Sequence, residues 1–143
     1  MKFHKLTPNF SVRDVRQTVK FYKDILGFKF DMAVPDKLST IEHEISGKGE
    51  YAYAMVSRDD VYVMFLKSKS FEEDIPALKG FPQGASVLFY IDVEDISEVY
   101  KKIKNRVELV KELETTWYGM REFYIKDCNG YVIGFAEKEH SPA

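Results

Sequence analysis

The sequence holds one cysteine, Cys128, so no disulfide can form within the chain and no thiolate cluster can bind a metal. Histidine is scarce: His4, His43 and His140 are all there is, and two of these stand near the ends. No apolar run approaches the ~20 residues of a membrane-spanning helix. The opening MKFHKLTPNF lacks the apolar core of a secretory signal. A soluble cytoplasmic protein is therefore expected. Nor does one sign of charge dominate. Lys and Arg number 21 against 23 Asp and Glu, a net charge of −2. That leaves no basic footprint for nucleic acid or an anionic membrane. What remains is 143 residues of ordinary globular composition, 45% hydrophobic and 31% charged, expected to form one domain over 1–143. Aromatic residues are the abundant class, with Phe 11, Tyr 9 and Trp 1. They suit a large core, an apolar ligand cavity or an aromatic interface.

The chain contains a weak internal repeat. Ser11-Val12-Arg13-Asp14-Val15 is similar to Asp92-Val93-Glu94-Asp95-Ile96. Val15, Thr18, Val19, Tyr22 and Leu26 follow the first at helical spacing, and Ile96, Val99, Tyr100 and Ile103 follow the second. Each aspartate is placed to accept backbone N–H groups as an N-cap, and Gly27 is placed to stop the first helix. Strands are expected over Lys5–Val12, Phe28–Val34, Tyr51–Val56, Val61–Leu66, Ser86–Ile91, Val107–Val110, Arg121–Lys126 and Tyr131–Glu137. Ser57–Asp60 and Asp127–Gly130 read as hairpin turns. The pattern is β-α-β-β-β written twice: module one over about 5–68, a linker over about 69–84, and module two over about 85–138. The fold class is α+β. Pro35–Glu50 is a polar insertion.

Alternation along the strands divides their faces. Phe10 and Val12 share one face; Thr7, Asn9 and Ser11 share the other. Val87, Phe89 and Ile91 oppose Ser86, Leu88 and Tyr90. Tyr131, Ile133 and Phe135 oppose Val132, Gly134 and Ala136. One face is bulky and apolar, as a covering helix requires. The other is smaller and mixed in polarity, which suits a concave cavity, or a partly solvated sheet face.

Three motifs carry a family resemblance: Val12-Arg13-Asp14-Val15 through Phe21-Tyr22 to Leu26-Gly27-Phe28, the second opening over Ser86–Asp95, and Arg121-Glu122-Phe123 followed by Asp127-Cys128-Asn129-Gly130-Tyr131. Over about residues 5–138 the chain resembles the vicinal oxygen chelate superfamily, which includes glyoxalase I, extradiol dioxygenases and bleomycin-resistance proteins. The resemblance implies two βαβββ modules whose mixed sheets form a cavity, and a homodimer with modules paired edge to edge. In the family's enzymes four inward-facing His, Gln or Glu side chains hold a divalent metal. Aligned on the motifs, those positions here are Thr7, Met64, Ser86 and Gly134, none of them a usual ligand for a catalytic metal. A shift of one residue supplies Pro8, Phe65, Val87 or Phe135, which serve no better.

Other chemistry is thinly signalled. Glu42-His43-Glu44 gathers metal-ligand types within the insertion, where a solvated charged stretch is the plainer reading. Cys128 sits in a turn without a neighbouring histidine to activate it. Trp117-Tyr118-Gly119-Met120-Arg121-Glu122-Phe123 resembles a segment of the bleomycin-resistance proteins, relatives that lack the metal ligands and sequester a drug in a groove between subunits. A binding protein for a small hydrophobic or aromatic molecule is thus expected, metal-independent and without cofactor, associated with antibiotic resistance. Its site would comprise Tyr62, Met64, Ser86, Leu88, Trp117, Tyr118 and Arg121. Two alternatives stand beside it: a lyase, isomerase or dioxygenase with a metal displaced to Glu42, His43 or Glu44, and an interaction module whose cavity has collapsed.

Overall fold

A computed structural model describes residues 1–37, 39–45, 47, 49–84 and 86–140. The described residues form two four-stranded mixed sheets, in compact units spanning Met1–Phe81 and Pro82–Ala143. The first unit runs β1 (Asn9–Val12), α1 (Val15–Asp24), β2 (Lys29–Pro35), β3 (Tyr51–Arg58), β4 (Val61–Lys67) and α2 (Ser68–Asp74). Its sheet order is β1-β4-β3-β2, with β1 parallel to β4 and the other pairs antiparallel. The second unit runs β5 (Leu88–Asp92), α3 (Ile96–Ile103), β6 (Glu108–Thr115), β7 (Met120–Lys126) and β8 (Val132–Lys138). Its order, β5-β8-β7-β6, repeats the plan, with β5 parallel to β8. The doubled βαβββ pattern and the α+β class are what the sequence predicts.

In the first unit the helix side of the sheet is the core. Val15, Thr18, Val19 and Tyr22 of α1 are buried, as are Phe10, Val12, Ala54, Val56, Val63 and Phe65 of the strands. The Tyr22 ring lies 4.8 Å from Phe65 and 5.5 Å from Phe28, tilted and edge-on. The second unit does the same with Ile96, Ile103, Phe123, Ile125, Ile133 and Phe135. Phe123 and Phe135 stack at 5.0 Å, and Tyr100 of α3 meets Phe123 edge-on.

The local signals act as chemistry demands, with some departures. Strand β1 begins at Asn9 rather than Lys5, and β5 at Leu88 rather than Ser86. Asp14 caps α1, its Oδ1 accepting from the Gln17 N–H at 3.0 Å, and Gly27 adopts the left-handed conformation (φ 71) that ends it. Asp95 does not cap α3 with its side chain. It is itself left-handed (φ 56), and Glu137 reaches from β8 to accept from the Asp95 and Ile96 N–H groups at 2.9 and 3.3 Å. Strand β6 extends to Thr115 rather than ending at Val110: its half-buried positions alternate through Leu109, Lys111 and Leu113, but Lys111, Glu112 and Glu114 interrupt the apolar signal from which a strand is read. The linker is partly helical, with α2 and a 3-10 turn at Pro76–Leu78.

Lys67 clasps the base of the insertion, donating to Asp36 at 2.8 Å and Glu50 at 2.9 Å. Leu38, Ser46 and Lys48 of that insertion lie outside the described residues.

Candidate functional site

The faces turned away from the helices carry the chemistry. In the second unit, register places Leu88 beside Val132, Tyr90 beside Gly134, and Gly134 beside Tyr124. Glu122 follows at the same parity and lies opposite Ala136. Its carboxylate has no exposed surface. The structure roofs it with four donors. Tyr90 donates to Oε2 at 2.7 Å, while Tyr118, Lys111 and Tyr124 donate to Oε1 at 2.6, 2.9 and 3.0 Å. Lys111 also pairs with Glu114 at 3.0 Å and lies 4.9 Å from the centre of the Tyr124 ring.

This network fixes protonation. Burial pushes the Glu122 carboxyl upward, but the hydrogen bonds from Tyr118, Tyr90, Lys111 and Tyr124 together outweigh it and hold the group at about 2. Burial and the adjacent carboxylate raise Tyr90 and Tyr124 above the usual phenol range. For Tyr118 the hydrogen bond to Glu122 is the larger cause of the same upward shift. The bonds to Glu122 and Glu114 raise Lys111. The cluster therefore holds an ionised carboxylate, a charged lysine and three neutral phenols across the neutral pH range. None of them is poised to exchange a proton there.

The family's metal positions fail a test of fit. Asn9 pairs with Met64 and Tyr90 pairs with Gly134. Asn9 and Tyr90 also stand equally far before the helix-leading Asp14 and Asp95. The residue equivalent to Thr7 is therefore Leu88. Ser86, expected at that position, is exposed and precedes β5, two residues before Leu88. The corrected set, Thr7, Met64, Leu88 and Gly134, offers one hydroxyl and one thioether, a poor donor set for a divalent catalytic metal. Gly134 is also sterically closed. A Cβ built there would lie 2.9 Å from Tyr124 Cδ1, 3.0 Å from its Cε1 and 3.4 Å from Leu88 Cδ1. The space a ligating side chain would fill is occupied by an aromatic ring.

The other expected site residues are distributed as follows. Tyr62 and Met64 lie on the open face of the first sheet, where pairing lines up Met32, Met55 and Met64 across β2, β3 and β4. Lys5 sits 3.8 Å over the Tyr62 ring. Leu88, half-exposed at 40%, belongs to the face that carries Glu122. Trp117 is 95% exposed on the β6–β7 turn and meets Tyr118 edge-on at 5.4 Å. Arg121 does not join them. It alternates to the helix side and donates to Ser97 Oγ at 2.9 Å. Glu42 accepts from the Tyr51 hydroxyl at 2.8 Å, and His43 and Glu44 are exposed. Among the described residues no three His, Cys, Asp or Glu side chains converge to hold a metal.

Sequence reasoning missed Glu122, Tyr124 and Lys111 and noted Tyr90 only by its face. The available signal was parity: Glu122 and Tyr124 alternate with the apolar Phe123 and Ile125. A charge on the outer face of a strand reads as solvated, and nothing local says that three tyrosines from separate segments will close over it.

Comparison with known proteins matches this architecture. A search of curated proteins gave no sequence match. Among solved structures, the chain is similar to a protein of unknown function from Agrobacterium tumefaciens str. C58, at 23% identity and TM-score 0.70, with 96% of each chain covered. It is similar to a glyoxalase/bleomycin resistance protein/dioxygenase from Nocardioides, at 14% identity and TM-score 0.71, covering 99% of this chain and 87% of that one. It is also similar to TnmS3, an antibiotic binding protein from Streptomyces sp. CB03234, at 18% identity and TM-score 0.67, covering 96% of this chain and 98% of that one. These likenesses establish the fold. The family model of the Glyoxalase/Bleomycin resistance protein/Dioxygenase superfamily matches residues 4–135, and with its two βαβββ units the chain belongs to that superfamily.

Proposed function

We propose that this protein is a metal-independent binder that sequesters a small hydrophobic or aromatic molecule, in the manner of the bleomycin-resistance branch. The observation that carries this reading is the closure of Gly134 by the Tyr124 ring. An aromatic surface stands where the family's enzymes place a metal ligand. Tyr90, Tyr118 and Leu88 are between 40% and 50% exposed beside it, so their apolar area is available for burial by a ligand. Trp117 adds a flat exposed ring at the rim. The phenols and Glu122 hold fixed protonation states at neutral pH, which favours holding a molecule over proton transfer to or from it. TnmS3, a structural neighbour, is described as an antibiotic binding protein. We place the protein as a homodimer within this reading.

The reading is tested by calorimetric titration with planar aromatic probes before and after exhaustive dialysis against EDTA. Equal affinity in the two preparations is expected. Binding that disappears on chelation and returns with a divalent metal would overturn the metal-independent assignment. Trp117→Ala should weaken binding of the same probes by about 1–3 kcal/mol, the usual loss for an aromatic anchor, without altering the far-ultraviolet dichroism. Unchanged affinity would take Trp117 out of the site.

A further inference from the structure

We infer that the Glu122 cluster selects aromatic ligands carrying a hydrogen-bond donor, a phenol or an aromatic amine, and disfavours acceptor-only and anionic ones, with the Tyr90 and Tyr124 hydroxyl oxygens as the accepting atoms. The inference rests on the binding function proposed above and deepens it. A phenol has one proton and two acceptor lone pairs. The Tyr90 and Tyr124 protons are both directed at Glu122, at 2.7 and 3.0 Å. What these hydroxyls retain for a ligand is acceptor capacity. The Tyr118 proton is committed as well, at 2.6 Å, and its ring meets Trp117 edge-on at 5.4 Å. Tyr118 is therefore given a packing role rather than an accepting one.

The commitment is hard to reverse. Glu122 has no exposed surface, so water cannot replace a donor that turns away. A ligand that needs a tyrosine proton must take it from a buried anion, which costs it about tenfold or more in affinity per bond. Lys111 does not offer anions a way round. Its ammonium is shared between Glu122 at 2.9 Å and Glu114 at 3.0 Å, so these three groups carry one positive and two negative charges. A ligand carboxylate would meet a net negative cluster and acceptor oxygens.

The test uses three probes on one ring system, 2-naphthol, 2-methoxynaphthalene and 2-naphthoate, titrated calorimetrically into the full chain at neutral pH. The expected order is 2-naphthol tightest by about tenfold over 2-methoxynaphthalene, with 2-naphthoate weakest. Tyr90→Phe and Tyr124→Phe, each checked for native near-ultraviolet dichroism, should reduce the 2-naphthol preference to about threefold or less. Glu122→Gln, where it folds, should release tyrosine protons and raise 2-naphthoate relative to 2-naphthol. Equal affinities for all three probes in the native protein, or a preference that survives both tyrosine variants, would overturn the donor selectivity while leaving the binding function intact. Failure of every probe to bind would remove the binding function and this inference with it.

Discussion

A carboxylate without exposed surface stays ionised only if its lost hydration is replaced, and Glu122 shows the replacement atom by atom. Two oxygens accept four hydrogen bonds, one of them from an ammonium. Glu122→Gln keeps the shape, removes the charge and turns one acceptor into a donor facing donors. It should destabilise the fold by about 2–4 kcal/mol in urea unfolding. The pH dependence has a definite sign. The folded-state value of about 2 lies below the ordinary 4.5, so the stability contributed by Glu122 is fully present above pH 4.5 and is lost as pH falls through 2. The wild-type protein should therefore lose stability across that window more steeply than Glu122→Gln. Parallel curves would show that Glu122 is not the group responsible. Gly134 gives the complementary residue-scale prediction. Its Cβ position lies against the body of the Tyr124 ring rather than a flexible tip. Gly134→Ala should cost about 1–3 kcal/mol by overpacking and disturb the tyrosine environment seen in near-ultraviolet dichroism. A neutral or stabilising effect would show that the ring yields easily.

At the scale of elements, the helices α1 and α3 are begun by different devices. Asp14 caps α1 from within its own segment, whereas α3 depends on Glu137, about forty residues away in the chain. Asp14→Ala and Glu137→Ala should each cost about 1 kcal/mol. Asp95→Ala should also be unfavourable, for another reason, since Asp95 is left-handed and makes no side-chain cap. Asp95→Gly should be neutral or stabilising. Thermal unfolding of the four variants decides it: a cost for Asp95→Gly equal to that of Glu137→Ala would return the capping role to Asp95. Both helix starts were legible from the repeated aspartate before an apolar helical stripe. The cap exchange was not, because a residue's backbone region is set by the chain on either side, and Glu137 is brought near only when β8 pairs beside β5. Strand β6 shows a related limit. Its period of two runs on through Lys111 and Leu113, but a lysine at a half-buried position carries no apolar signal from which a strand is read.

For the whole molecule, membership in the superfamily fixes the doubled βαβββ plan and leaves the chemistry to the side chains on the open faces. Native mass spectrometry of the purified protein should give a dimer mass without stoichiometric metal. One tightly held metal per subunit would show that ligands lie outside the positions considered, and a monomer would remove the dimer from the proposed function. Among the described residues no helix is long and apolar enough to cross a membrane.

The sequence by itself determined the fold class, the doubled βαβββ plan, the helices α1 and α3, the hairpin turns, and the apolar face of the strands. Those features follow from local rules: period-two and helical apolar spacing, turn residues with positive φ, and an aspartate before α1 and before α3. It also placed Thr7, Met64 and Gly134, none of them a usual donor for a catalytic metal, at positions aligned with the family's ligands. Only the tertiary structure decided that Leu88 is the equivalent of Thr7, that Arg121 turns to Ser97 on the helix side, and that Tyr124 fills the space beside Gly134. The same holds for the cluster on Glu122, whose donors come from β5, β6, β7 and the turn before it. Strand register brings those side chains within hydrogen-bond distance, and burial then makes their mutual satisfaction obligatory. Neither exists along a single stretch of chain.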